Sequence, residues 1–183
     1  MRKLVDSSIS SSVIDLSSST PVVAPDSSIL FGVLGPDADR GYMLKFNSSG
    51  KYLGDFDFGW DDTPAVYPHD GTYSVITKDN HYGTEGPYYI TQLDANFHIQ
   101  WRYQSTTNYE YCVNAPAVDK NGTVYADSED GNIYVINQGG TLKGNLFLQH
   151  AIGAAYTPVA IGNDGKIYTL NDGNMFAVGE TAK

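Results

Sequence analysis

A short step recurs four times along this chain and constrains its fold more than any other feature. The copies are Thr20-Pro-Val-Val23, Thr63-Pro-Ala-Val66, Ala115-Pro-Ala-Val118 and Thr157-Pro-Val-Ala160. Their prolines stand at positions 21, 64, 116 and 158, at spacings of 43, 52 and 42 residues. Proline has no N–H to donate, so it suits the first residue of a strand. Each step leads into a polar turn and a β-rich run. These are Asp26-Ser-Ser-Ile-Leu-Phe31, Asp70-Gly-Thr-Tyr-Ser-Val75, Asn121-Gly-Thr-Val-Tyr125 and Asp164-Gly-Lys-Ile-Tyr168.

A third run follows in every unit: Gly41 to Phe46, Tyr88 to Leu93, Asn132 to Ile136 and Asn174 to Val178. A fourth closes three of them, at Tyr52 to Phe58, His98 to Tyr103 and Leu142 to Leu148. No window sustains a 3.6-residue apolar period, so helices are not expected. Four short strands per unit, repeated at this interval, predict an all-β fold: a β-propeller of four-stranded antiparallel blades, about four of them. The Asp-Gly and Asn-Gly pairs supply the positive φ that tight hairpins need.

The pattern Pro116-Ala-Val-Asp-x-x-Gly-Thr-Val-Tyr125, followed by Asp130-Gly-x-Ile-Tyr-Val-Ile136, resembles the quinoprotein (pyrroloquinoline quinone) dehydrogenase-like propeller repeat. Leu93-Asp-Ala-Asn-Phe-His-Ile-Gln-Trp101 is similar to that family's closing segment, in which a tryptophan ends one blade and docks on the next. The resemblance spans residues 18–179. It implies a fold more than an activity, because the repeat also builds non-enzymatic propellers such as outer-membrane assembly scaffolds. The docking tryptophan is clear only at Trp101. Phe56 or Phe58, and Asn145 or Phe147, occupy the comparable stretches of other units, and Trp60 lies just past its strand.

Residues 1–17 form an N-terminal segment with a strand expected at 13–16, and residues 18–183 one propeller module. The blade units are about 18–62, 63–114, 115–156 and 157–183. The resemblance implies seven or eight blades in a full ring, and the last unit here lacks its fourth strand. Three arrangements follow: part of a longer ring, half of an eight-bladed homodimer, or a ring closed by Val13 to Leu16.

Composition narrows the function classes. The chain carries 11 Lys and Arg against 21 Asp and Glu, a formal charge of −10. Its scattered cations offer no basic face for nucleic acid. No stretch of about 18 apolar residues exists to span a membrane as a helix. Met1-Arg-Lys is followed by no apolar core, so no signal peptide is expected within these residues. A surface rich in Ser, Thr, Asn and Tyr and poor in Lys nonetheless points to an extracellular or periplasmic setting. Asn47-Ser-Ser49 and Asn121-Gly-Thr123 match the N-glycosylation pattern, although the second doubles as a turn. The single cysteine, Cys112, has no histidine beside it to make it a nucleophile.

Four carboxylates in Asp119 to Asn137 invite a calcium reading, which the register opposes. With Gly131 at position 6 of an EF-hand loop, Ala126 falls at position 1 and Asn137 at position 12, so essential oxygen ligands are missing. A looser site from Asp127, Glu129 and Asp130 stays open. Asp55, Asp57, Asp61 and Asp62 lie near Trp60 and several tyrosines, as a glycosidase requires. Yet Asp55-Phe-Asp-Phe58 also alternates as a half-exposed outer strand does. Quinone binding would need basic side chains and calcium ligands at the ring's mouth. No residue here carries over to that role, so neither the quinone cofactor nor calcium is expected.

The longest insertion runs from Lys78 to Tyr89, with a shorter counterpart at Leu34 to Arg40. Loops that outgrow a repeat are where propellers place function. Asn80, His81, Tyr82, Glu85, Tyr88 and Tyr89, with Trp60 nearby, are therefore the candidate contact residues. The expected role is non-catalytic binding or scaffolding of a protein or glycan. The alternative is a fragment of a quinone-dependent dehydrogenase or of a glycan-active enzyme.

Overall fold

The computed structural model describes residues 2–3, 6–10, 19–34, 41–58, 62–80, 86–105, 113, 115–151 and 158–179. A short hairpin, β1 (Arg2–Lys3) with β2 (Asp6–Ser10), forms a sheet of its own. The remaining strands build four antiparallel blades arranged as a β-propeller. The first contains β3 (Val22–Val23), β4 (Ile29–Leu34), β5 (Gly41–Phe46) and β6 (Tyr52–Asp57). The second contains β7 (Ala65–His69), β8 (Thr72–Asp79), β9 (Tyr89–Asp94) and β10 (Ile99–Gln104). The third contains β11 (Ala117–Val118), β12 (Val124–Asp127), β13 (Asn132–Ile136) and β14 (Leu142–Phe147). Among the described residues the fourth has three strands: β15 (Val159–Ile161), β16 (Ile167–Asn171) and β17 (Asn174–Val178). The strand expected at 13–16 lies outside the described residues.

Each recurring proline immediately precedes the first strand of its blade, where no ladder hydrogen bond depends on it. Asp70 and Gly71, with φ of 47° and 75°, turn β7 into β8; Asp172 and Gly173, at 46° and 73°, turn β16 into β17. Two successive positive φ values match the right-handed twist of the strands they join.

Side chains alternate between neighbouring blades. Leu30, Met43 and Phe58 of the first blade meet Tyr73, Val75 and Leu93 of the second in one buried cluster. Ile76, Ile90 and Trp101 of the second meet Val124, Ala126, Tyr134 and Ile136 of the third in another. Each fully buried aliphatic or aromatic side chain contributes roughly 1.5–3 kcal/mol, so these two seams dominate cohesion. On the fourth blade, register places Leu170 and Met175 on the face turned away from the third, where Met175 is 72% exposed.

Candidate functional site

The insertion in the second blade is shorter than the sequence suggests. Strand β8 continues through Lys78 and Asp79, and both are fully buried. Asn80 is buried too, and its backbone N–H donates to the Phe58 carbonyl at 2.7 Å. At the other end Tyr88 is buried, and its carbonyl accepts the Ser105 N–H at 3.1 Å. Asn80 and Tyr88 therefore anchor the loop instead of facing outward. Tyr89 is half-buried beneath the Arg102 guanidinium, 5.3 Å from the ring centre, and Arg102 pairs with Asp79 at 2.5 Å. His81, Tyr82, Glu85 and Trp60 lie outside the described residues.

The blades are tied together at their linkers by polar contacts that sequence reasoning did not find. Asp62 sits in the linker before β7, fully buried. Its carboxylate accepts from Thr77 Oγ1 at 2.9 Å and the Lys78 N–H at 3.1 Å. The other oxygen accepts the Ala115 N–H at 2.9 Å, from the linker into the third blade. Burial pushes its pKa up, against the opposing pull of Lys78 and these donors. The series of linkers is extended on either side by Thr20 N–H to Thr63 Oγ1 at 2.9 Å and Val159 N–H to the Ala115 carbonyl at 3.1 Å. Gly32 makes room for this arrangement: a Cβ there would collide with the Asp62 carbonyl and Ser19 Oγ.

Between the third and fourth blades the tie is Asp127. It accepts from Thr169 Oγ1 at 2.5 Å and Asn171 Nδ2 at 3.1 Å. Burial lifts its carboxyl to about 6, although both hydrogen bonds pull it down. Its neighbour Asp130 accepts from the Tyr134 hydroxyl. The acidic turn at 127–131 thus directs Asp127 to the fourth blade and Asp130 back onto its own sheet. Among the described residues no three His, Cys, Asp or Glu side chains group to hold a metal ion.

The outer strands differ from the sequence assignment at one position. Each carries a bulge, and just beyond it Gly54 pairs with Lys45, Trp101 with Gln92, and Gly144 with Val135. The structural counterparts of Trp101 are therefore Gly54 and Gly144, and not Phe56, Phe58, Asn145 or Phe147. The three strands share the bulge, and the matched positions each stand seven residues after the turn residues Asn47, Asp94 and Asn137; matching by aromatic residue type instead of by spacing misplaces them. Trp101 packs on Gly140 in the next blade, whose added Cβ would lie 3.1 Å from the indole. At Gly144 an added Cβ would meet no atom within 4 Å. A cavity of about 420 Å³ opens there, between Tyr125 and Val135 on one side and Ile167 and Val178 on the other.

Solved structures with the same architecture bear out the class: a β-propeller. BamB from Moraxella catarrhalis superposes with a TM-score of 0.59 at 10% identity, over 87% of this chain and 41% of that one. The WD40 β-propeller domain of Doa1 gives 0.55 at 16% identity, over 85% and 48%. BBS1N, solved in complex with ARL6DN, gives 0.53 at 15% identity, over 89% and 51%. The chain thus spans about half or less of each of these neighbours. No protein-family model and no curated protein matches it.

Proposed function

We propose that this chain is a non-catalytic binding or scaffolding module of the quinoprotein-like propeller type. It meets a protein or glycan partner through its loops, with His81, Tyr82 and Glu85 as the contact residues. The observation that supports this most is the use made of the buried charges. Asp62, Asp127 and the Asp79–Arg102 pair are each held by neighbouring strands or linkers. Groups committed in this way hold strands and linkers in register and are not presented to a substrate. The neighbour solved with ARL6DN bound is a propeller that engages a protein. Further blades, from a second copy or a longer chain, complete the ring, and the setting is extracellular or periplasmic. No quinone and no calcium take part.

The test compares the wild type with a His81→Ala, Tyr82→Ala, Glu85→Ala triple variant on a glycan array and a displayed-peptide library. Binders retained by the wild type and lost by a variant of equal melting temperature support the proposal. A rise in melting temperature on adding quinone cofactor with calcium would instead mark a dehydrogenase fragment, since a ligand of the folded state stabilises it by mass action.

A further inference from the structure

The space beside Gly144 is an interblade seam left without its filler. Three turns align the outer strands: the N–H groups of Asn47, Asp94 and Asn137 donate to the carbonyls of Lys51, His98 and Thr141. Counting from these turns, Gly54, Trp101 and Gly144 occupy one structural position, as the strand pairing also requires. Between the second and third blades that position is filled by the Trp101 indole. Between the first and second, Gly54 leaves the position open, but Phe97 packs against the same cluster. Phe97 stands in the turn where the third blade has Gly140, and it holds φ of 67° to do so. Between the third and fourth blades no side chain of the described residues takes that place, and the cavity remains.

The cavity's volume of about 420 Å³ lies within the usual ligand range of about 300–1,000 Å³. It is an open groove whose walls combine the Tyr125 ring and branched aliphatic side chains with Asn145 and three glycines. Beside it runs β14, the outer edge of the third blade, with unpaired backbone groups along one side. Exposed edges are commonly blunted by charge. The edge strand of the first blade carries Asp55 and Asp57, whereas β14, like β10, has a single charge, Lys143, and it exposes Leu142, Leu146 and Phe147.

We propose that this groove binds an aromatic side chain carried by an extended segment of a partner polypeptide. The segment pairs with β14 as an added strand, and its indole or phenyl ring enters the cavity at the place Trp101 fills one blade earlier. The proposal goes beyond the loop contacts above. The loop variant leaves this groove intact, so the two can fail separately.

The probes are a capped Val-Thr-Trp-Thr-Val peptide, the same peptide with alanine at its centre, and free indole. Amide resonances of the protein are followed during titration. The tryptophan peptide is expected to shift Val135, Gly144 and Ile167 and to bind at least tenfold more tightly than the alanine peptide. Gly144→Trp, which supplies the missing filler in cis, should weaken the tryptophan peptide at least tenfold and raise the melting temperature by a few degrees. Should Gly144→Trp not fold, Val135→Asp serves the same purpose by charging the wall. Equal binding of both peptides, shifts confined to other blades, or unchanged affinity in the folded variants would overturn the proposal. Binding of indole without the peptide would overturn the polypeptide partner.

Discussion

The Asp62 carboxylate, at the entrance to the second blade, accepts the backbone N–H of Ala115, 53 residues later at the entrance to the third, at 2.9 Å. One buried side chain thereby fixes two linkers and the end of β8. Asp62→Ala would leave Thr77 Oγ1 and two backbone N–H groups without their acceptor. Each unsatisfied buried group costs about 1–3 kcal/mol, so a loss of about 3 kcal/mol or more is expected. Urea denaturation would measure it, and Asp62→Asn should recover part of the loss.

Trp101 and Gly140 form a matched pair of large and small residues across one seam. Trp101→Ala is expected to destabilise by about 3–5 kcal/mol, through lost burial and the cavity left behind. Gly140→Val should also be costly, since it presses on the indole and strains a φ of 78°. The double variant should be less damaging than the two losses added together. A double-mutant cycle by urea melts checks this.

Asp127 predicts an unusual pH dependence. Its folded pKa of about 6 lies above the ordinary carboxylate value of 3.8, so the folded state binds the extra proton between those limits. Stability from this group therefore rises as pH falls from above 6 toward 4, by up to about 3 kcal/mol. Asp127→Asn should remove that slope. It should also be tolerated, because the buried Asn171 Oδ1 accepts no hydrogen bond from the described residues and can accept from the new amide once Asn171 turns over. Melting temperatures of both proteins from pH 4 to pH 8 decide the matter.

Lys45 is the corresponding tie between the first and second blades. Its ammonium donates to the Tyr73 hydroxyl at 2.5 Å, the Ala95 carbonyl at 2.8 Å and Asp26 at 3.2 Å. Lys45→Met is expected to cost about 1–3 kcal/mol, because an acceptor on each blade loses its donor. Burial raises the Asp26 pKa, but hydrogen bonds from Ser28, Lys45 and Tyr73 outweigh it and bring the group to about 2. Its contribution is present above about pH 4 and disappears as pH falls through 2. Asp26 is 46% exposed, so screening keeps that contribution below about 1 kcal/mol. Acid titration of the wild type and of Asp26→Asn would resolve it.

Phe97 shows where the local pattern was readable and where it was not. Asp94 to His98 is a turn by composition, and the structure makes it one. That this turn holds a positive φ at Phe97 while its ring packs against the first interblade cluster is not announced by any local pattern. The candidate loop behaved likewise. Its position between β8 and β9 was legible from the uneven repeat length, whereas the burial of Lys78, Asn80 and Tyr88 was not. Polar residues next to Gly and Pro look exposed until other strands are packed over them.

Proline steps, Asp-Gly turns and alternating apolar residues act over two to eight neighbours, so the sequence by itself determined the blade strands from β3 onward, their order and the repeated blade, whereas no such signal announced the β1–β2 hairpin. Tertiary structure decided which polar residues became ties and which seam stayed open. Asp62 and Asp127 look like ordinary turn acids in sequence, and their partners lie 53 and 42 residues away. Gly144 looks like a gap in a strand until the bulge in β14 sets it opposite Val135, in the place of Trp101. Burial and register depend on what packs from the next blade, and that is settled only when the blades meet.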